Sequence, residues 1–309
     1  MTKSTSLKLT TYFKDWMELY KKDAVRPITY QKYEMTLKHI RSLVPNLKLS
    51  DLDRRTYQEL LNEFAETHER QTCLDFHHQV KAAIRDAVED GYIQRDPTYK
   101  VVIKGTVSRQ HKPKFLNQQE LTKLLAQLEF GKEVSWDYFF LLIAKTGLRF
   151  SEALGLTPSD FDFRRLSLNV TKTWDYKSEN GSFAPTKNQA SIRRVPLDWQ
   201  VAMQFAQLTK GKPQDEPIFL ANGHHAYNET ANKNLERLCK RAGVPVISVH
   251  GLRHTHASLL LYAGVSIGSV ARRLGHSNMN TTQKTYLHII QELETQDTDK
   301  IMRYLTTLM

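Results

Sequence analysis

Residues 250–265 read HGLRHTHASLLLYAGV and residues 272–286 read RRLGHSNMNTTQKTY. The first stretch sets His250 and Arg253 three residues apart, on one face of a helix, where an imidazole and a guanidinium can reach a single phosphoryl group. His254 and His256 follow closely and read as structural or solvent-facing side chains. In the second stretch Leu274 ends an amphipathic helix whose other apolar positions are Ile267 and Val270, and Gly275 stands where a left-handed C-cap is expected. His276 therefore leaves that helix at a fixed place. Ten residues later, after the polar helix start Asn280-Thr281-Thr282, comes Tyr286. Taken alone, such a tyrosine reads as a half-buried packing residue.

Working outward, helical patterning covers 198–208, 228–242, 250–263, 266–274 and 281–293, and a last amphipathic segment carries Ile301, Leu305 and Leu308. Between Phe161 and Pro196 the period changes. Phe163, Leu166, Leu168 and Val170 predict one strand and Ile192 to Leu197 another, joined through the polar region Lys177–Asn188. Upstream, Asn117 is placed to cap a helix carrying Leu121, Leu124, Leu125 and Leu128, and a second helix runs from about Ser135 to Lys145. The run TGLRFSE, residues 146–152, puts Arg149 just after a glycine, where a helix can begin and its backbone N–H groups favour an anion. By itself that arginine reads as a surface residue at a turn.

From Leu9 to Gly91 the pattern is helical throughout. Tyr12, Phe13, Trp16, Leu19 and Tyr20 share one face, and further amphipathic runs occupy roughly 28–43, 51–66 and 70–90. The fold class expected is mainly α with a small antiparallel β-sheet (α+β). Its organisation is a helical domain over 1–104, a polar linker over 105–115, a second domain over 116–290 and a tail over 291–309.

Forty-four Lys and Arg against 33 Asp and Glu give a formal charge of +11, and such an excess favours a polyanionic partner, nucleic acid first. The excess is spread along the chain: 21 basic against 15 acidic residues through Lys114, and 23 against 18 beyond it. Both domains are thus expected to meet a duplex. Two cysteines, Cys73 and Cys239, are too few for a disulfide framework or a zinc site and fit a reducing, cytoplasmic setting. No run approaches the roughly 18 apolar residues of a membrane span, and MTKSTSLKLT lacks the apolar core of a signal peptide.

As an ordered set, Arg149, His250, Arg253, His276 and Tyr286 resemble the tyrosine recombinase (phage integrase) family. The runs TGLRFSEALGL, HGLRHTHASLLLYAGV and RRLGHSNMNTTQKTY are similar to its three catalytic segments. The helical N-terminal region resembles, less specifically, the family's core-binding domain. A sixth group comes from residues 184–196, APTKNQASIRRVP, which resemble the family's hairpin and its phosphate-reaching lysine. Lys187 is the residue chosen, with Lys172, Arg193 and Arg194 as competitors.

The resemblance implies a site-specific recombinase. Tyr286 attacks the scissile phosphate and retains the 3′-phosphate. Arg149 and Arg253 clamp the non-bridging oxygens, and His276 adds a hydrogen bond. His250 assists as base or phosphate ligand, and Lys187 protonates the leaving 5′-hydroxyl. An unperturbed tyrosine has a pKa near 10, so the cationic surround must help it ionise. With cations supplied by side chains, no metal, ATP or other cofactor is expected.

The partners implied are double-stranded DNA attachment sites, a homotetramer closed by the C-terminal tail, and an excision factor or host DNA-bending protein. Within the family the YLHII continuation favours a phage or genomic-island integrase over a chromosome-dimer-resolving recombinase. No arm-binding domain is apparent ahead of Leu9. The chain therefore reads either as a simple-type integrase or as one lacking that domain. A catalytically silent DNA-binding regulator of the same fold, and a type IB topoisomerase, are the remaining alternatives.

Overall fold

The computed structural model describes residues 6–107, 115–178, 180–223, 226–286 and 305–306. The chain divides into two compact units, Met1–His111 and Lys112–Met309.

In the first unit four helices follow one another: α1 (Leu9–Tyr20), α2 (Pro27–Leu43), α3 (Arg54–Ala65) and α4 (Arg70–Glu89). Their starts follow from side chains. Pro27 opens α2 with its φ already set for a helix. The Asp53 carboxylate caps α3, accepting from the Thr56 backbone N–H at 2.7 Å. Their apolar stripes meet in a core built on Leu9, Phe13, Ile40, Tyr57, Val80 and Ile84. Two polar side-chain pairs lie at that core: Trp16 Nε1 donates to Asp86 at 2.6 Å, and the Tyr57 hydroxyl lies 3.0 Å from His77 Nδ1.

The second unit opens with α5 (Gln118–Leu125), α6 (Trp136–Thr146) and the short α7 (Phe150–Leu154). A capping box starts α5: Asn117 accepts from the Glu120 N–H while Glu120 accepts from the Asn117 N–H. Helix α6 is apolar on almost every side, with Phe139, Leu142 and Ile143 buried, and it packs against α10 (Val249–Tyr262).

The sheet region differs from the expectation in two ways. Leu166 adopts φ +47°, and the expected single strand there is a hairpin, β1 (Phe161–Asp162) and β2 (Ser167–Val170). A second hairpin, β3 (Lys172–Asp175) with β4 (Ser182–Pro185), lies in the stretch read as a polar connection, Trp174 opposite Phe183. None of its strand residues is fully buried, and they carry no alternation of apolar and polar residues for a sequence reading to find. The strand expected at 192–197 is β5 (Arg193–Pro196), paired antiparallel to β2 with Leu168 opposite Val195, both fully buried.

Four helices complete the unit around α10: α8 (Trp199–Leu208), α9 (Asn228–Ala242), α11 (Ile267–Leu274) and α12 (Met279–Thr285). Helix α12 ends before Tyr286 and holds the first part of the run expected at 281–293. Residues 287–293, most of the linker expected at 105–115, and the tail 291–309 apart from Leu305 and Thr306 lie outside the described residues. Ala257, Leu261, Val270, Leu274 and Tyr286 form a small core of their own, so the tyrosine ring is fixed by α10 and α11.

Candidate active site

Two helix ends organise the site. Helix α6 stops at Gly147 (φ +70°) and α11 at Gly275 (φ +69°), each in the left-handed conformation that glycine takes without strain. Arg253, on the first turns of α10 and 3% exposed, ties both ends together. Its Nη1 donates to the Gly147 carbonyl at 2.6 Å, and its Nη2 to the Leu274 carbonyl at 2.8 Å. Arg149 reaches the same turn from the start of α7, its Nη2 donating to the Gly275 carbonyl at 2.9 Å. Two guanidinium groups from separate segments thus converge on Leu274–Gly275–His276. A guanidinium carries five donors, and the contacts described among these residues engage three in each, leaving both able to grip an anion.

His276 stands against this pair. Its Nε2 lies 3.0 Å from Arg253 Nη2 and its Nδ1 2.7 Å from the Thr282 hydroxyl. A guanidinium can only donate, so Nε2 accepts, and Nδ1 carries the ring proton and donates to Thr282. The neutral form agrees with a pKa pushed down to about 4 by burial, then by Arg253, Arg149 and Arg193. His250 is exposed at the start of α10, its pKa lowered by desolvation and by Arg253 and Arg149.

Tyr286 follows α12 and is 2% exposed. Burial pushes its hydroxyl up to about 12, while Arg253 pulls in the other direction. Its described hydrogen bond is to His254 Nδ1, at 2.9 Å.

A buried carboxylate neutralises the site from behind. Glu152, 1% exposed, accepts from Arg149 Nη1 at 2.5 Å and from the Arg149 backbone N–H at 2.9 Å. On its other side it accepts from Arg193 Nη1 and Nη2 at 3.2 and 3.0 Å. Burial acts to raise its pKa, but Arg193 and Arg149 outweigh this and hold the carboxyl below its ordinary value. Arg193 also donates from Nε to the Arg273 carbonyl at 2.6 Å. Arg273 Nε in turn donates to His256 Nε2 at 2.8 Å, which leaves the His256 Nδ1 proton for the Ala144 carbonyl at 2.9 Å. His256 is thus a buried structural residue with a pKa pushed down to about 3, chiefly by burial and Arg273.

Among the lysine competitors the contacts differ sharply. Lys172 is held by Asp160 at 2.5 Å and by the Thr157 hydroxyl at 3.2 Å, and Arg193 is committed to Glu152. Arg194 is exposed, its Nε 3.4 Å from the Asn169 side chain. Lys187 is exposed on the loop between β4 and β5. That loop is joined to the site: Asn188 accepts from the Ser191 hydroxyl at 2.8 Å, and Arg149 Nη1 donates to the same hydroxyl at 3.2 Å.

The structure therefore brings Arg149, Arg253 and His276 together at one turn, with His250 on the helix bearing Arg253, Tyr286 held by that same helix, and Lys187 on an adjoining loop. Glu152, Ser191 and Thr282 are not among the candidates that the sequence offers, and His254 reads there as structural or solvent-facing. Glu152 had one readable signal, its place three residues after Arg149 at a helix start.

Comparison with known proteins gives consistent results. Residues 114–292 match the model of the phage integrase family, and residues 8–65 that of the phage integrase N-terminal SAM-like domain. A tyrosine recombinase XerC-like protein of Caldanaerobacter subterraneus subsp. tengcongensis is 27% identical over 306 residues, covering 87% of this chain and 76% of that protein. The transposase of transposon Tn916 from Enterococcus faecalis is 27% identical over 237 residues, which cover 71% of this chain. The match spans only 58% of that transposase, less than two thirds of its length. Among solved structures, the Tn1549 transposon integrase in complex with a circular intermediate DNA superposes with a TM-score of 0.78 at 19% identity, covering 90% of this chain and 94% of that one. A lambda integrase tetramer bound to a Holliday junction gives 0.65 at 18% identity, covering 89% and 79%. At these identities the two structures establish the shared fold.

Proposed function

Since this chain belongs to the phage integrase family of tyrosine recombinases, whose members cleave and rejoin DNA strands, we propose that it recombines DNA at specific sites through a 3′-phosphotyrosine bond to Tyr286, to integrate or excise a mobile element. The observation that carries the reading is the convergence of Arg149 and Arg253 on the turn that precedes His276, with Tyr286 buried against the helix that bears Arg253.

The two guanidiniums bind the non-bridging oxygens of the scissile phosphate and stabilise the charge that grows on them as phosphorus becomes five-coordinate. Their separate attachments to the backbone fix the spacing of the two forks before DNA arrives. His276 adds a hydrogen bond once the phosphate takes up Arg253 donors and the ring proton moves to Nε2, the Thr282 hydroxyl then donating to Nδ1. His250, on the helix that bears Arg253, acts as a phosphate ligand or base. Lys187 protonates the departing 5′-oxygen; the engagement of Lys172 with Asp160 and of Arg193 with Glu152 supports that choice. The helical unit is the core-DNA-binding domain and the second unit the catalytic one.

Duplex attachment sites are the substrate, and a homotetramer on two of them is the working assembly, as a lambda integrase of this fold forms on a Holliday junction. The tail after residue 290 would link neighbouring protomers. The match to a transposon's transposase supports the mobile-element role, and an excision factor or host bending protein belongs with it. The XerC-like relative, aligned over most of the chain, supports a second reading, chromosome-dimer resolution. Covalent trapping on nicked DNA tests the chemistry. Wild-type protein is expected to form an adduct at Tyr286, and Tyr286→Phe to bind DNA equally well without forming one. An adduct mapped to Tyr262 or Tyr304 would overturn the assignment. Sequencing the DNA beside the gene for attachment repeats separates the two biological roles.

A further inference from the structure

The imidazole that meets Tyr286 is His254, one helical turn beyond His250 on α10. Its Nδ1 lies 2.9 Å from the tyrosine hydroxyl, and the rings meet edge to face with centroids 5.8 Å apart. The His250 ring stands perpendicular to His254 at 4.7 Å. We propose that His254 is the general base of strand cleavage, taking the Tyr286 proton on Nδ1, so that of the two roles open to His250 the phosphate ligand remains; this rests on the reading of Tyr286 as the nucleophile.

Chemistry requires such a group. With its hydroxyl pushed up to about 12, Tyr286 stays protonated at neutral pH. Unaided ionisation is therefore a heavy cost, and a positioned acceptor removes it. His276 is unsuited, because Nε2 accepts from Arg253 and Nδ1 is already protonated towards Thr282. His256 is spent in the same way between Arg273 and Ala144. His254 with its proton on Nε2 presents an acceptor to the hydroxyl, within the distance that proton transfer needs.

The step balances. The tyrosine oxygen forms its bond to phosphorus while its proton passes to Nδ1, giving imidazolium; the P–O5′ bond breaks and the leaving oxygen takes a proton from Lys187. In religation the 5′-hydroxyl attacks, Lys187 recovers its proton, and the His254 imidazolium returns one to the departing tyrosine oxygen. Among the described residues, titratable groups that meet His254 are His250 on α10, His276 after α11 and Tyr286 after α12.

The test uses the full chain and a nicked duplex selected by covalent trapping with wild-type protein from a pool of randomised core sequence. Adduct formation is followed in single turnover between about pH 6 and pH 9. His254→Asn keeps an amide near the Nδ1 position but cannot take a proton. It is expected to bind that duplex normally and form adduct about 10²-fold or more slowly. Its rate should climb with pH across the range, where the wild-type rate levels off. A His254→Asn rate within a few-fold of wild type, with the wild-type pH profile, would leave His254 a positioning residue and overturn the inference. Absence of a Tyr286 adduct in the wild-type protein would instead overturn the reading beneath it. A measurement free of folding effects completes the test. In ¹⁵N spectra of histidine-labelled protein without DNA, Tyr286→Phe is expected to shift the His254 Nδ1 resonance, and an unmoved resonance would also overturn the proposal.

Discussion

Glu152 and Arg193 form an ion pair across 41 residues of sequence, Glu152 Oε2 accepting from Arg193 Nη2 at 3.0 Å, with side chains 1% and 7% exposed. The same carboxylate holds Arg149 at 2.5 Å. One buried anion therefore sets the position of a guanidinium proposed to grip the phosphate and anchors strand β5 behind it.

Glu152→Gln is expected to cost about 3–5 kcal/mol, because it leaves the Arg193 charge buried without its partner. Cleavage should fall by roughly 10²-fold through misplacement of Arg149. The pH response follows from the carboxyl's lowered pKa. Its stabilisation is complete above the unfolded-state carboxyl value of about 4 and is lost as pH falls through the lower folded-state value. Thermal melts of the wild type between about pH 6 and pH 3 should thus show an acid-side loss that is weaker in Glu152→Gln. Equal slopes in the two proteins would remove the carboxylate from this role.

Arg253→Lys separates charge from geometry. An ammonium keeps the cation but cannot hold the Gly147 and Leu274 carbonyls while also donating to His276. Cleavage is expected to fall by about 10²–10³-fold with DNA affinity little changed, since the lost donors act chiefly on charge that develops in the transition state. Parallel losses of binding and cleavage, from filter binding and covalent trapping on the same duplex, would make Arg253 a positioning contact.

How far the sequence carries this site depends on the range of each contact. His250 and Arg253 share a helix, and Gly275 ends one just before His276, so their candidacy was visible in local spacing. The Arg149 to Gly275 contact spans 126 residues and became readable only through the ordered set. Glu152 was missed because its second partner, Arg193, comes from a strand. Local pattern could not say which of two histidines one turn apart meets Tyr286; that depends on how α10 and α12 pack. The helices were legible from their apolar stripes, whereas the β3–β4 hairpin, with no fully buried residue, had no stripe to read.

For Lys187→Ala, cleavage of an ordinary duplex should drop by about 10²-fold or more, while a duplex with sulfur at the 5′-bridging position should be cleaved at close to the wild-type rate. A thiolate leaves without needing a proton, so the sulfur substrate bypasses the acid alone. Equal defects on both substrates would send the acid role to Arg193 or Lys172.

The turn where the two arginines meet is set by a glycine in close contact with its neighbours. Gly275 has φ +69°, and an added Cβ would stand 2.8 Å from Arg193 Nη1, 3.0 Å from Ser191 Cα and 3.2 Å from the Ala190 carbonyl oxygen. The left-handed backbone alone costs an alanine about 1–2 kcal/mol. Gly211 provides the control, with φ +76° and nothing within 4 Å of the same added atom. Gly211→Ala should therefore show the strain alone, as a modest drop in Tm with cleavage unchanged. Gly275→Ala must in addition push back Ser191 and Arg193, and with them the carbonyl and hydroxyl that hold Arg149. A larger fall in Tm and a cleavage loss of about 10²-fold in folded protein are expected, because displacement of a positioned group by even about 1 Å is enough for that loss. Were Gly275→Ala to match Gly211→Ala in both melting and covalent trapping, the close approach of the turn to Ser191 would have no part in placing Arg149.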